Sequence, residues 1–589
     1  MSDFIYSRNS MRHGFLTSKL HAIYDKDYPP VQEYHGDWGS LAVSDSHYHG
    51  FQVYETKEHI CVVMGGPVLE FHENTFIQKG PNHEGTKAIY ERWIEGRVLW
   101  DEDLSGPFSI LILNKQTSEV RCITDLMSFI PVYCFCENGN VMLSTHVDVL
   151  AIVSGQQQLV DMVSKVDFIL HGVVTFPYTV YQTIRQLQPA SMHVVMGESA
   201  DLQSIEYWTP DENYRYHSIE EAATIVRQSI QRYVDIVVSN SSSIAQFISG
   251  GEDSRALAAL LPSDTKHDAF VFLDSMNREG KVAKSAAQAY NANFILTERG
   301  EQHYLDILPT SSDLVGEGAQ YFHAHTLGFH TLCKLNKYDA VFGGLFSDAL
   351  LKGARIKKIR GSRRVPFIPQ IKWKRYSVTN PISHPVFTEQ ILEQVVERRK
   401  AHFEYVRKYR EDSAVEWFEL WPSSMNMNIA NLHVNRRLFR SYEPFMSKDV
   451  VKVSAAVPQS WKLNRRLFHK AAKPLLKPTK WLFHSEGRLP YFPWYINSFI
   501  QFGTWLTNEM GVKMGLIKGN QGPWNQWDEL MNSKQWKQAI ETYSSGVKQL
   551  LPVLQQKDVF DLFEERKLTF IQRINLMQTL YCGSKQENK

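Results

Sequence analysis

The stretch IAQFISGGEDSRALAALL constrains this chain most: an apolar run ends in Ser249-Gly250-Gly251, and a helical pattern starts around Asp253. The order strand, glycine turn, helix brings backbone N–H groups close to a ligand with no Cβ in the way. The helix N-terminus adds unsatisfied donors and the positive end of a dipole. An anion suits such a turn, and the full string Ser249-Gly250-Gly251-Glu252-Asp253-Ser254 predicts a phosphate. Two glycines alone would mean no more than a capped strand-to-helix turn. Around the string the pattern alternates: strand IAQFI, helix, strand DAFVFL, helix GKVAKSAAQAY, strand FILT, a helical region and strand DAVFG. Repeated strand–helix units predict a parallel sheet.

A chain of 589 residues exceeds what one core supports, so two or more domains are expected. From about Phe51 to Thr145, short apolar runs between turn residues (HICVVMGGPVLEF, GPFSILILN, EVRCITD, IPVYCFC, VMLST) predict antiparallel strands. A helical stretch, Asp161 to Leu170, and more strand pattern lead to a boundary near Trp208. The predicted domains are 1–208 and 209–589. The second opens on a capping box, Ser218-x-x-Glu221, with Ile225, Val226, Ile230, Tyr233, Val234 and Val237 on one helix face. Helical patterns dominate from Glu389 onward, and the final GSKQENK is expected to fray.

Apolar residues at 43% and charged residues at 22% are ordinary globular usage. A net charge of +1 supplies no global field for nucleic acid. Six scattered cysteines form neither a disulfide framework nor a zinc pattern, which fits a reducing cytoplasm. Cys134 and Cys136 share one strand face and are expected to be buried free thiols. The start, MSDFIYSRNSMRHG, lacks a signal-peptide core, and no run of 18 apolar residues exists, so neither export nor a membrane span is expected.

The loop differs from the Walker string GxxxxGK[ST], which is absent here. SGGxDS resembles the pyrophosphatase loop (PP-loop) of enzymes that break ATP between its α and β phosphates, placing AMP on a carboxylate. From about residue 100 to 495 the sequence resembles the glutamine-dependent asparagine synthetase family. The first-domain match lies in DEDLSGPFSILILNKQTSEVRCITDLMSFIPVYCFCENGNVMLSTHVDVL, where Asp125, Pro131 and Tyr133 fall in place. Asn277-Arg278-Glu279, DAVFGGLFSD and YEPFMSKDVVKVSAAVPQSWKLNRRLFHKAAKPLL carry it through the second.

The resemblance implies an α/β chain: an N-terminal antiparallel αββα-like (Ntn-type) domain, then a parallel-sheet, adenine-nucleotide α-hydrolase-like synthetase domain with a helical C-terminal part. It implies ATP and Mg²⁺, with Asp253 and Asp348 as metal-binding catalytic carboxylates. ATP and pyrophosphate would meet Phe247, Ser249, Gly250, Gly251, Asp253, Ser254, Val271, Gly343 and Gly344. The partners implied are a small-molecule or peptide carboxylate and an amine donor, with a homodimer left open.

Three departures bear on the substrate. Residue 2 is Ser where the family's glutaminase uses Cys, so the first domain reads as a degenerate relative without glutamine hydrolysis. Leu345 stands where asparagine-forming members carry Glu and β-lactam-forming relatives Tyr; Glu252, Glu317, Tyr442 and Glu443 are unranked replacements as base. The family's late lysine falls in His484-Ser485-Glu486-Gly487, leaving Lys480 or Arg488 to act for it. Arg255, giving SGGxDSR, resembles divergent members that include lasso-peptide macrolactam synthetases. An amide-forming ligase, an intramolecular macrolactam or β-lactam-type cyclase, and a nucleotide-binding pseudoenzyme therefore all stay open. The stretch 352–375, with ten basic and no acidic residues, reads as an insertion or loop. His323, His325 and His330 fit no zinc template and read as helix-face histidines.

Overall fold

The structure is a computed structural model that describes residues 2–45, 47–137, 139–196, 202–262, 267–359, 368–513, 521–523, 527–555, 558–564 and 566–587. Part of the basic stretch 352–375, from 360 to 367, and the last two residues of the tail lie outside them.

The first part stacks two six-stranded antiparallel sheets. Strand alternation explains the layering. Phe4 and Tyr6 of Phe4–Ser7 face Ile60, Val62 and Met64 of His59–Gly65 across the space between the sheets. The intervening Ile5 packs outward on Leu16 and Leu20 of helix Phe15–His21 and on Leu150 of helix Val147–Val153. Cys61 and Val63 likewise turn outward, toward Ile89 of helix Glu84–Ile94 and Val226 and Val234 of helix Ile219–Ser239. Fully burying one such side chain contributes about 1.5–3 kcal/mol. The result is an αββα layering.

Three strands precede the region where sequence pattern began to show them: Phe4–Ser7, Val31–Gly36 and Gly39–Ser44. Phe4–Ser7 and Gly39–Ser44 are buried on both faces, so neither shows the apolar–polar alternation that marks a half-exposed strand. Cys134 is buried as expected, but Cys136 is exposed, because it sits at the end of Tyr133–Glu137 where cover from the neighbouring elements runs out.

After the last antiparallel strand, Leu202–Glu206, the chain reaches helix Ile219–Ser239. Its cap is reciprocal: Ser218 Oγ accepts from the Glu221 N–H at 3.1 Å, and the Glu221 carboxylate accepts from the His217 N–H at 2.9 Å. A five-stranded, wholly parallel sheet follows, in the order Asn293–Glu298, Asp268–Leu273, Ile244–Phe247, Ala340–Phe342, Ser441–Tyr442. The order reverses direction between Ile244–Phe247 and Ala340–Phe342, and ligands of such sheets bind at the carboxyl ends of strands where that happens. Ser441–Tyr442 lies in a region that sequence pattern assigned to helix; its two residues are too short to carry a period.

The remainder is helical, including Glu389–Arg407, Ile429–Leu438, Trp494–Lys513 and Phe570–Glu587. The tail does not fray at 583: the last helix continues to Glu587. A Cβ on Gly583 would stand 2.8 Å from the Gly546 carbonyl oxygen, so two glycines bring the helix against the turn Ser544–Gln549. Among the described residues no helix is long and apolar enough to cross a membrane.

Candidate functional site

The loop and the Gly343-Gly344 turn meet at the carboxyl edge of the two central strands. A Cβ on Gly344 would lie 3.4 Å from Asp253 Cβ, in van der Waals contact, so the two turns run side by side. The loop is internally braced. Ser254 Oγ accepts from the Ser249 N–H at 3.0 Å, Ser249 Oγ accepts from the Gly251 N–H at 3.1 Å, and the Glu279 carboxylate accepts from the Gly250 N–H at 2.5 Å. One loop donor therefore already holds an anionic partner. Glu279 begins helix Arg278–Ala289, whose cap is Asn277 accepting from the Gly280 N–H. Phe247 ends the first parallel strand, its ring edge-on to Phe272 and Phe439, and Val271 is buried in the next strand.

Arg255 turns into the protein interior. Wholly buried, it donates to the carbonyls of Gly250 (3.1 Å), Leu482 (2.9 Å) and Phe483 (2.7 Å). Burial lowers its pKa to about 10. It thereby pins Leu482 and Phe483 onto the loop, and a Cβ on Gly250 would sit 3.0 Å from Ser485 Oγ.

The structure brings Asp253 and Asp348 together. Asp348, in the short helix Ser347–Leu351, lies 3.0 Å from Lys352 Nζ, and the same ammonium contacts Asp253 and sits 3.3 Å from Glu252. Lys352 is buried, which would depress its pKa, but Asp253, Asp348 and Glu252 outweigh burial and raise it. Burial, with Asp348 and Glu252 alongside, lifts the Asp253 carboxyl to about 6 against the pull of Lys352. Lys352 holds the Asp348 carboxyl below its ordinary value. Burial would raise Glu252, yet Arg465 and Lys352 keep it well below the carboxylate range. Arg465 donates to Glu252 at 2.6 Å, and Arg488 Nη2 stands 3.6 Å from the same oxygen.

Arg488 is thus beside the loop, whereas Lys480 is exposed with its ammonium over the Trp481 ring. Of the four acids and phenols weighed as base, Glu443 lies under Gly343, where a Cβ would come within 2.2 Å of its Oε1. It accepts from the Leu345 N–H and Ser441 Oγ, both at 3.0 Å, and burial lifts its pKa to about 7. Glu317 is elsewhere, paired at 2.8 Å with buried Lys165. Tyr442 is buried with its ring against Tyr48 and Phe342.

Sequence reasoning missed Lys352, Arg465 and Glu279. Lys352 had a readable signal, four residues after Asp348, the spacing of a helical ion pair. His323 belongs to a 3-10 turn, His330 to the short helix Phe329–Leu332, and His325 to neither; burial lowers all three pKa values. Among the described residues one group of three potential metal ligands converges, His13, Glu33 and His35, and Glu33 there already accepts from the N–H groups of Gly14 and Thr17.

No protein-family model matches the sequence, and a search of curated proteins finds no match. Among solved structures, the chain is similar to the allosteric regulatory enzyme of purine biosynthesis, at 9% identity and a TM-score of 0.22, over 42% of this chain and 60% of that one. It is also similar to the glutamine phosphoribosylpyrophosphate amidotransferase from B. subtilis complexed with ADP and GMP, at 9% identity and a TM-score of 0.23, over 50% of this chain and 65% of that one. The chain therefore covers less than two thirds of either protein.

Proposed function

We propose that this chain is an ATP-dependent amide synthetase of the asparagine synthetase kind, which activates a carboxylate as its adenylate and passes the acyl group to an amine. The observation that carries the reading is the convergence of Asp253 and Asp348 on one cationic atom, Lys352 Nζ, at the point where the parallel sheet reverses its order.

The donor set, two hard carboxylates that converge on one cation position, is of the kind that takes Mg²⁺, which binds through one or two carboxylates together with substrate phosphates. Asp253 and Asp348 would hold it, and when bound it supplies neutralisation of the charge on the departing pyrophosphate. The chain's own groups do the rest. A substrate carboxylate oxygen attacks the α-phosphorus of ATP, a new O–P bond forms, and the bond to the β-phosphate oxygen breaks with its electrons leaving on pyrophosphate. Lys352 and Arg488 carry positive charge beside that departure. An amine nitrogen then attacks the acyl carbon, AMP leaves, and the nitrogen loses a proton.

Glutamine is not the favoured nitrogen source, because Ser2 is wholly buried and its carbonyl accepts from Arg436. Free ammonia or an amine of the substrate itself remains, the latter giving a cyclic amide. A nucleotide-binding scaffold is the second reading, favoured by the satisfied state of the site: Glu279 already holds the Gly250 N–H, and Leu345 cannot take a proton. Pyrophosphate release on pools of carboxylates and peptides separates the two. Turnover that disappears in Asp253→Ala supports the synthetase; ATP binding without turnover on every pool supports the scaffold and sinks the synthetase.

A further inference from the structure

We infer that the cleft beside Glu252 is the acid-binding site, and that it takes a carboxylic acid with an aromatic or otherwise apolar body. The inference rests on the carboxylate-activating reading above and adds the location and the substrate class.

The cleft opens between Arg465 and the start of helix Trp494–Lys513. Glu252 at its floor is the residue before Asp253, so a ligand seated there ends next to the paired aspartates. Arg465 and Arg488 line the same floor, while Phe492 and Trp494 form an aromatic wall. Two independent features mark this floor as a ligand site. Arg488 is only 5% exposed, and its Nε is buried with no hydrogen-bond partner among the described residues. Arg488 Nη1 already donates to Glu486 at 2.5 Å, so the other N–H groups of the two arginines lining the cleft are the donors that a carboxylate seated there would meet. In addition, Asn464 (φ 56°) and Arg465 (φ 60°) are consecutive left-handed residues with side chains, a conformation maintained only where the surroundings enforce it. That strained pair aims Arg465 at Glu252 rather than at solvent.

The body of the acid follows from the helix. Trp494, Asn497 and Gln501 recur at helical spacing and face the cleft, while Tyr495, Phe502 and Leu506 on the same helix are 51%, 42% and 46% exposed. Trp494 on this helix and Phe492 before it are the aromatic surface that a hydrophobic acid would cover.

The test uses the full chain without ATP, with N-acetyl-L-tryptophan, N-acetyl-L-phenylalanine and N-acetyl-L-leucine and their carboxamides as probes in titration calorimetry. At least one acid is expected to bind at least tenfold more tightly than its amide. Arg488→Met should weaken it at least tenfold, and Gln501→Trp, at a half-exposed helix position that fills the cleft, should abolish it with the circular dichroism spectrum unchanged. No binding by any of the acids, equal binding of acid and amide, or binding untouched by Gln501→Trp overturns the site. ATP-dependent pyrophosphate release measured in parallel keeps the two readings apart. Acid binding that depends on Arg488 without pyrophosphate release leaves the site standing and removes the activity. Pyrophosphate release insensitive to Gln501→Trp does the reverse.

Discussion

Lys352 Nζ lies 3.0 Å from the carboxylate of Asp348, one helical turn before it, and contacts Asp253 from a separate strand–helix unit. The pair closes the distance between two parallel-sheet loops with one buried ammonium. Lys352→Met leaves Glu252, Asp253 and Asp348 facing one another without that charge. Breaking a buried pair on one side costs about 3–5 kcal/mol, and the exposed position of Asp348 places the expected loss at the lower end. Because a divalent cation replaces the missing charge, MgCl₂ should raise the melting temperature of Lys352→Met more than that of the wild type. Equal magnesium responses in the two proteins would show that the carboxylates do not form a cation site.

Glu443 predicts a pH dependence. Its folded pKa of about 7 exceeds the ordinary 4.5, so between those values the folded state holds a proton that the unfolded state has released. Stability therefore falls as pH rises through that window, by on the order of 3 kcal/mol, and flattens above it. Glu443→Gln keeps an acceptor for the Leu345 N–H and offers its amide to Ser441 Oγ. The fall in unfolding free energy that urea titrations read from pH 5 to 8 should be smaller in this variant than in the wild type. Asp253, also raised, contributes equally to both proteins and cancels in the difference. A slope unchanged by the substitution would mean Glu443 is ionised throughout.

What the sequence disclosed and what it withheld divide by range. The loop Ser249 to Ser254 and the alternation of strand and helix are local signals, and each is found where the pattern placed it. Arg465 could not be read, because its partner Glu252 is 213 residues away and no local feature links them. Glu443 escaped ranking for a similar reason: its pKa is set by burial under Gly343, a contact between two sheet loops. Arg255 shows a structural role that the motif did not disclose. Its position in the motif suggested a tie to substrate class, whereas its three carbonyl acceptors make it a brace.

That brace can be tested. Arg255→Lys retains the charge but not the fork that reaches Gly250, Leu482 and Phe483 together. With hydrogen bonds to a charged group contributing about 1.5–3 kcal/mol each, a loss of roughly 2–4 kcal/mol in unfolding free energy is expected. Under the proposed function, KM for ATP should rise while the ranking of acids stays fixed. A changed ranking with unchanged stability would return Arg255 to the substrate.

Asp3 joins the two parts of the molecule through a buried ion pair. Arg437 Nε and Nη2 donate to its two oxygens, each at 2.7 Å, and Arg436 Nη2 adds a third contact at 3.1 Å. Burial would raise the Asp3 carboxyl, but Arg437 and Arg436 drive it far below its ordinary value. A depressed carboxyl contributes stability that is complete above the unfolded pKa, 3.8, and is lost only as pH falls through the folded one. The contribution should therefore be constant from pH 5 to 8. Asp3→Ala strands two guanidiniums at the junction of the first strand with helix Ile429–Leu438, at an expected cost of about 3–5 kcal/mol. The difference between wild type and variant should not vary with pH in that range. A difference that shrinks toward pH 5 would show that Asp3 titrates near there, and that the two arginines do not hold it as the geometry requires.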